Sequence, residues 1–225
     1  MTFSVNGRCA RTGMVGIAIT TSSICVGSRC PWVRAKTGAV ATQNVTLPSL
    51  GNEVLHAIEN GMNAQQALDK VITGREHANY RQLTVVDVHG NTAHFTGSEI
   101  LGINNVSSGV DCVAAGNLLH NGGVPTAMTD YFQANPELHL AQRLLLALKA
   151  GHDAGGEMGP THSAALLVAH EYSWPLVDLR VDWHDQDPIK QLQSIWEAYE
   201  PQMQDYVTRA MDPASAPSYG VPGDE

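Results

Sequence analysis

Basic residues are scarce in this 225-residue chain, where 13 Lys and Arg stand against 22 Asp and Glu for a formal net charge of −9 at pH 7. Binding a nucleic-acid backbone needs the opposite balance, so that class of partner is argued against. Long apolar runs are lacking too, none approaching the roughly 20 residues that cross a bilayer. No basic segment followed by an apolar core opens the chain in the manner of a secretory signal. A cytoplasmic protein without a membrane partner is therefore expected. The four cysteines, Cys9, Cys25, Cys30 and Cys112, are too few for a disulfide framework at this length and form no C-x-x-C pair. Buried free thiols are expected instead. Also missing are a G-x-G-x-x-G dinucleotide fingerprint, an H-E-x-x-H zinc motif and a calcium-type loop. Aromatic and charged residues make up only 6% and 16%, but 43% of the chain is apolar, enough for one full core in a single domain.

What is present begins at once. In MTFSVNGRCA, Phe3, Val5 and Cys9 alternate with Ser4, Asn6 and Arg8, the period-two pattern of a half-buried strand. Arg11-Thr12-Gly13 reads as a turn and Met14 to Thr21 as a second strand, with Val15, Ile17 and Ile19 on one face. Ser22 to Trp32 is a stretch of small residues, and Gly38 to Gln43 a short strand. Two helices follow: Ser49 caps the first, which Asn60-Gly61 stops, and an Asn63/Gln66 capping box opens the second. Two strand runs flank a His89-Gly90-Asn91 turn, and DCVAAGNLL is a further strand. VPTAMTDYFQ reads as a helix, and another runs from an Asn135 cap past Lys149 to a Gly151 stop. SAALLVAH and PLVDLRVDW close the strands, and Pro188 opens an amphipathic helix to about Met211. Asp212 to Glu225 has no apolar period and is expected to be a flexible tail behind a single domain, 1–211. Strands that arrive as hairpins favour antiparallel sheets, and helices in pairs favour outer layers. The expectation is an α+β fold of two antiparallel sheets packed face to face, with helices on both outer surfaces.

A hairpin that starts at the second residue sets an amine and a hydroxyl together at the end of a sheet. Removal of Met1, the usual fate of Met before a small residue, would give Thr2 a free α-amine with a pKa of about 7.7–8.0. That amine can take the proton of its own residue's hydroxyl, which makes an activated nucleophile. Small residues in second place are equally common in proteins without such chemistry.

The segments MTFSVNGRCARTGMVGIAI, PWVRAKTGAVATQ, RQLTVVDVHGNTAHFTG, AGNLL, AGGEMG-THSAALLV and VDLRVDWHDQDP occur in order from residue 2 to about residue 195. Together they resemble the bacterial domain of unknown function 1028 family, whose fold is similar to that of the N-terminal-nucleophile (Ntn) hydrolases. The resemblance implies a four-layer αββα sandwich and amide-bond hydrolysis with Thr2 as the nucleophile. Proteasome-like members of that wider group use a Lys and an Asp beside the nucleophile. Lys36 stands at a comparable distance along the chain, where a like charge would lower the amine's pKa. No acidic residue precedes Glu53, so the Asp has no counterpart. A simpler mechanism needs only the amine, Thr2 and oxyanion donors.

Asn117 in AGNLL is the side chain chosen for the oxyanion, a donor worth about 3 kcal/mol when lost; a turn or cap role would explain it equally. Gln43 and Gln82 are taken as substrate contacts, since buried amides must find partners. Arg34 and Arg81 are taken as bidentate clamps for a substrate carboxylate, with plain surface solvation as the alternative. His162 joins them, standing where family members carry Gln. His152, Asp153, Glu157, His162, Asp182, His184, Asp185 and Asp187 are metal-type ligands by identity, but their spacing matches no zinc or calcium loop. A polar loop near the active end is the plainer reading, and no metal or cofactor is expected.

Three functions compete on this basis. The first is a small amidohydrolase acting through Thr2 on a small amide, an N-acyl amino acid or a peptide-like substrate. The second is a non-catalytic ligand-binding or assembly module on the same fold. The third is metal-assisted hydrolysis through His152, His162 and His184. A homo-oligomer is expected, with Trp174, Trp183 and Trp196 as interface anchors or, equally, as core residues.

Overall fold

A computed structural model describes residues 1–223; Asp224 and Glu225, the end of the expected tail, lie outside the described residues. Its strands are β1 (Thr2–Arg8), β2 (Val15–Thr21), β3 (Pro31–Arg34), β4 (Gly38–Asn44), β5 (Arg81–Asp87), β6 (Thr92–Thr96), β7 (Asn105–Gly109), β8 (Cys112–Asn117), β9 (Ser163–Ala169) and β10 (Val177–Val181). Its helices are α1 (Ser49–Glu59), α2 (Ala64–Ile72), α3 (Val124–Ala134), α4 (Leu140–Asp153), α5 (Pro188–Tyr199) and α6 (Met203–Met211). The strands form two sheets, in the orders β10-β9-β2-β1-β8-β7 and β3-β4-β5-β6, and neighbours run antiparallel throughout.

The core divides into layers that explain why both sheets exist. Phe3, Val5, Phe132, Leu144, Leu148 and Trp196 pack the larger sheet against α3, α4 and α5. Val40, Leu50, Leu55, Leu68 and Leu83 pack the smaller sheet against α1 and α2. Between the sheets lie Ile17, Ile19, Val26, Ala41 and Leu167. The result is the four-layer αββα sandwich.

Covering both faces of a sheet changes what a strand's alternation means. β1 was expected to be half buried, but Phe3 and Val5 face the helices while Ser4 and Asn6 face the other sheet, all of them buried. The polar side chains are tolerated because they are satisfied. Asn6 Nδ2 donates to the Ala39 and Thr84 carbonyls at 3.1 Å each, and Thr84 Oγ1 donates back to Asn6 Oδ1 at 3.2 Å.

Several boundaries differ from the sequence expectation. β3 starts in the last two residues of the small-residue stretch and runs past it; it begins on Pro31 at a sheet edge, where a missing N–H costs no ladder bond. β7 (NVSSG) is also an edge strand, too polar to show an apolar alternation. Ser49 is not a cap: it sits inside α1, where its hydroxyl donates to Glu53 Oε1 at 2.9 Å, and Pro48 holds the cap position. α4 begins later than expected, with His139 Nδ1 accepting from Ala141 N, whereas Asn135 donates back to Tyr131 O at the end of α3. Gly151 stays within α4 because it presses on Met128, where a Cβ would come within 2.6 Å of Cγ. The last helix is two, since Pro201 forces a 3-10 turn between α5 and α6.

Trp196 is wholly buried, so it is a core residue rather than an interface anchor, while Trp174 and Trp183 are exposed. Cys9, Cys30 and Cys112 are buried, but Cys25 is only half-buried. Past α6, residues 212–223 carry no helix; Arg209 donates to the Pro217 and Ser218 carbonyls and lies over the Tyr219 ring. Among the described residues no helix is long and apolar enough to cross a membrane.

Candidate functional site

Thr2 is the first residue of β1, in register with Thr21 of β2 on one side and Asn117 of β8 on the other. A central strand therefore presents its first side chain between two polar neighbours, and Thr2 is buried. Thr2 Oγ1 donates to the Met1 carbonyl at 2.6 Å, and Thr21 Oγ1 donates to the same oxygen. The two hydroxyl oxygens stand 3.0 Å apart. Both hydroxyls thus converge on the carbonyl oxygen of the residue that precedes Thr2.

Behind Thr2 a polar seam crosses from sheet to sheet. Ser4 Oγ donates to Gln43 Oε1 at 2.8 Å, and Gln43 Nε2 donates to Gln82 Oε1 at 2.8 Å. Asn117 Nδ2 donates to that same Gln82 oxygen at 3.2 Å, while Gln82 Nε2 donates to the Gly116 carbonyl. All four side chains are buried. Asn117 Oδ1 has no partner, and only one of its two N–H bonds is accounted for in this seam. The other N–H is the group that could meet a developing oxyanion.

The sequence marks Glu157 only as one of the metal-type ligands of a polar loop. The structure places it at the N-terminus. Its backbone bridges to Leu119, two residues past Asn117, and its side chain is 7% exposed with no hydrogen-bond partner on either oxygen. Burial pushes its carboxyl up to about 8, against the pull of the N-terminal ammonium and the Ser22 backbone. Glycines on either side of it let the loop approach: Gly155 and Gly156 take φ of 128° and 58°, and at Gly159 a Cβ would lie 3.1 Å from Met1 Cε.

A model of the family of unknown function DUF1028 matches residues 2–192. The chain belongs to that family. A crystal structure of a DUF1028 protein from Silicibacter pomeroyi is similar at 34% identity and a TM-score of 0.84, over 91% of this chain and 89% of that one. More distant are Anbu (ancestral beta-subunit) from Yersinia bercovieri, at 9% identity and a TM-score of 0.38 over 91% and 97% of the chains. An Anbu mutant from Hyphomicrobium sp. strain MC1 gives 13% and 0.42 over 90% and 96%. Among curated proteins none matches.

The remaining candidates of this DUF1028 chain divide by the end of the sandwich they occupy. Arg81 pairs with Asn44 beside the Gln43–Gln82 pair, at the Thr2 end, but its guanidinium donates to the Val45 carbonyl. His162 is also at this end: its N–H donates to Thr21 O at 2.8 Å, its ring Nδ1 donates to His184 O at 3.0 Å, and the ring stacks on Trp183. Lys36 and Arg34 are at the other end. Lys36 occupies the β3–β4 turn with φ 58°, beyond Gly38 and Ala39, whereas Asn6 reaches Ala39 from four residues along β1. Four residues of strand span about 13 Å, so Lys36 does not touch the Thr2 amine. Arg34 is paired with Glu59 at 2.8 Å.

The metal-type residues are scattered as well. His152 and Asp153 line a cleft of about 380 Å³ between α4 and α5, together with Lys149 and Asp187. His184 Nδ1 accepts from the Gln186 and Asp187 backbone. Among the described residues no three His, Cys, Asp or Glu side chains are grouped to hold a metal ion. Instead, loops at the Thr2 end expose Ile24, Val45, Leu101, Ile103, Met158 and Trp183, an apolar rim around the strand ends.

Proposed function

We propose that this DUF1028 protein is an N-terminal-nucleophile amidohydrolase acting on a small amide, with Thr2 as the nucleophile once Met1 has been removed. The observation that carries this reading is the position of the Thr2 hydroxyl at the start of a central strand, 3.0 Å from the Thr21 hydroxyl and in register with Asn117. The freed α-amine takes the proton of Thr2 Oγ1 as that oxygen bonds to the substrate carbonyl carbon. The spare N–H of Asn117 faces the oxygen as its charge grows. Collapse then breaks the C–N bond, the proton passes from the amine to the leaving nitrogen, and an acyl ester remains on Thr2. Water, deprotonated by the same amine, cleaves the ester and releases the acid. Lys36 has no part in this sequence, and the seam of Ser4, Gln43 and Gln82 holds Asn117 in place.

Intact-mass measurement tests the reading directly. The purified protein is expected to lack Met1 and to gain one acyl group when exposed to activated esters and amides. A Thr2→Ala variant should stay folded and gain none. Retention of Met1, or an adduct that survives in Thr2→Ala, overturns the mechanism and leaves the non-catalytic binding module.

A further inference from the structure

Thr2 opens β1, and about 20 Å away, past the last residue of that strand, lies a feature that amide hydrolysis does not use. The β1–β2 turn, the β7–β8 turn and the α3–α4 connection enclose a crevice of about 340 Å³ there. Arg143 lines it and is 6% exposed, the one buried Lys or Arg among the described residues. A buried guanidinium is costly unless its charge and its donors are met. Here they are met only in part. Nε donates to the Phe132 carbonyl at 2.5 Å, and Cζ lies 3.5 Å from the centre of the Phe132 ring. No carboxylate among the described residues is within ion-pair distance of Arg143; Asp111, which also lines the crevice, is held by Arg8 at 2.8 Å. The two Nη groups have no hydrogen-bond partner among the described residues and open onto the crevice.

This fork is fixed before any ligand arrives. Phe132, on which it stacks, presses on Gly7, where a Cβ would come within 2.4 Å of the ring. Val110 N donates to Gln133 Oε1 at 3.0 Å and ties the β7–β8 turn to α3. Arg11 brings a second positive charge, and its Nη2 donates to the Pro136 and Glu137 carbonyls, which pins the β1–β2 turn to the α3–α4 connection. We propose that the crevice binds a small monocarboxylate with a short apolar stem, its two oxygens received by the two Nη groups of Arg143. A planar guanidinium with two free N–H groups matches the two oxygens of a carboxylate. Ala10, Val110 and Pro136 offer the stem an apolar wall. The Asp111 carboxylate repels a dianion such as hydrogen phosphate more than a monoanion. Because the crevice and Thr2 lie at opposite ends of β1, this binding does not depend on the Thr2 reading.

Calorimetric titration of the full chain and of its Thr2→Ala variant with sodium n-butyrate tests the proposal. Saturable one-site binding of equal affinity is expected in both. Butyramide, the neutral isostere, is titrated into Thr2→Ala, which cannot turn it over, and should not saturate over the same concentrations. Inorganic phosphate should bind about 10-fold more weakly than butyrate. Arg143→Gln should weaken butyrate at least about 30-fold. Val110 is 74% exposed at the tip of its turn, so Val110→Asp leaves the fold intact while setting a second carboxylate at the mouth. That variant should weaken butyrate about 10-fold. An absence of saturable binding, butyramide binding as tightly as butyrate, or an affinity unchanged by Val110→Asp overturns the proposal, whether or not the Arg143 variant folds. So does loss of butyrate binding in Thr2→Ala, which would put the carboxylate at the other end of β1 as an acid product. Phosphate binding more tightly than butyrate overturns the carboxylate assignment and leaves a phosphate site.

Discussion

A carboxyl buried without a partner makes stability depend on pH in one direction. In the folded protein Glu157 keeps its proton to about pH 8, against an ordinary value of 4.5. Between those values the folded state holds a proton that the unfolded state has lost. Its contribution is therefore fully present below about pH 4.5 and is lost as the pH rises to about 8. Urea unfolding of Glu157→Gln should show a gain over the parent at pH 8, on the order of a few kcal/mol, that shrinks towards pH 4.5. Asn117 gives the second prediction at this scale. Asn117→Ala should lower kcat by roughly 10²–10³-fold. It should cost only about 1 kcal/mol of stability, because Gln82 Oε1 still accepts from Gln43. Gln43, Gln82 and Asn117 could be picked from the sequence as amides at the ends of strands. Their meeting on one seam could not, because the contacts join residues 35 to 39 positions apart. Glu157 was harder still, since its backbone bridge to Leu119 joins residues 38 positions apart.

Individual elements were legible where their signals are local. The capping box of α2 is an example: Gln66 N donates to Asn63 Oδ1 at 2.9 Å and Asn63 N to Gln66 Oε1 at 3.1 Å, both within one turn. Asn63→Ala should destabilise the protein by about 1 kcal/mol in a thermal or urea melt. Asp87 ties that helix to the following hairpin. Its carboxylate accepts from Ala64 N, His89 N, Asn91 N and Asn91 Nδ2, at 2.8 to 3.1 Å, while wholly buried. Asp87→Ala strands several of these donors at once and should cost roughly 3 kcal/mol or more, well above the cap. If the two variants melt alike, Asp87 does not link α2 to the β5–β6 turn. Ser49, Asn135 and Gly151 misled for the converse reason. Their local chemistry suits a helix end, but where α1 and α4 end is set by Pro48, His139 and the packing of Gly151 on Met128. Gly51 likewise has its reason outside α1, in the Trp32 ring packed against it.

At the scale of the whole molecule, the double sandwich decides which groups meet solvent. Burial pushes the Cys30 thiol up to about 11 and that of Cys112 up to about 12, so neither is a thiolate at neutral pH. Cys25, half-buried in the loop after β2, is the thiol expected to react with a water-soluble alkylating reagent, Cys30 and Cys112 following only on unfolding. Peptide mapping after brief alkylation checks the order. Labelling of Cys112 ahead of Cys25 would mean that the larger sheet opens more readily than its packing against α3 and α4 allows. Sequence alone determined the β1–β2 and β5–β6 hairpins, the α2 cap, the pairing of α1 with α2 and, among the described residues, the lack of a helix long and apolar enough to cross a membrane, because each rests on neighbours within a few residues or on composition. Tertiary structure alone decided that both faces of β1 are covered, that Lys36 and Thr2 sit at opposite ends, and that the loop of Glu157 and Gly159 packs beside Met1. Those facts depend on which sheet edge and which loop come together, and no local pattern carries that information.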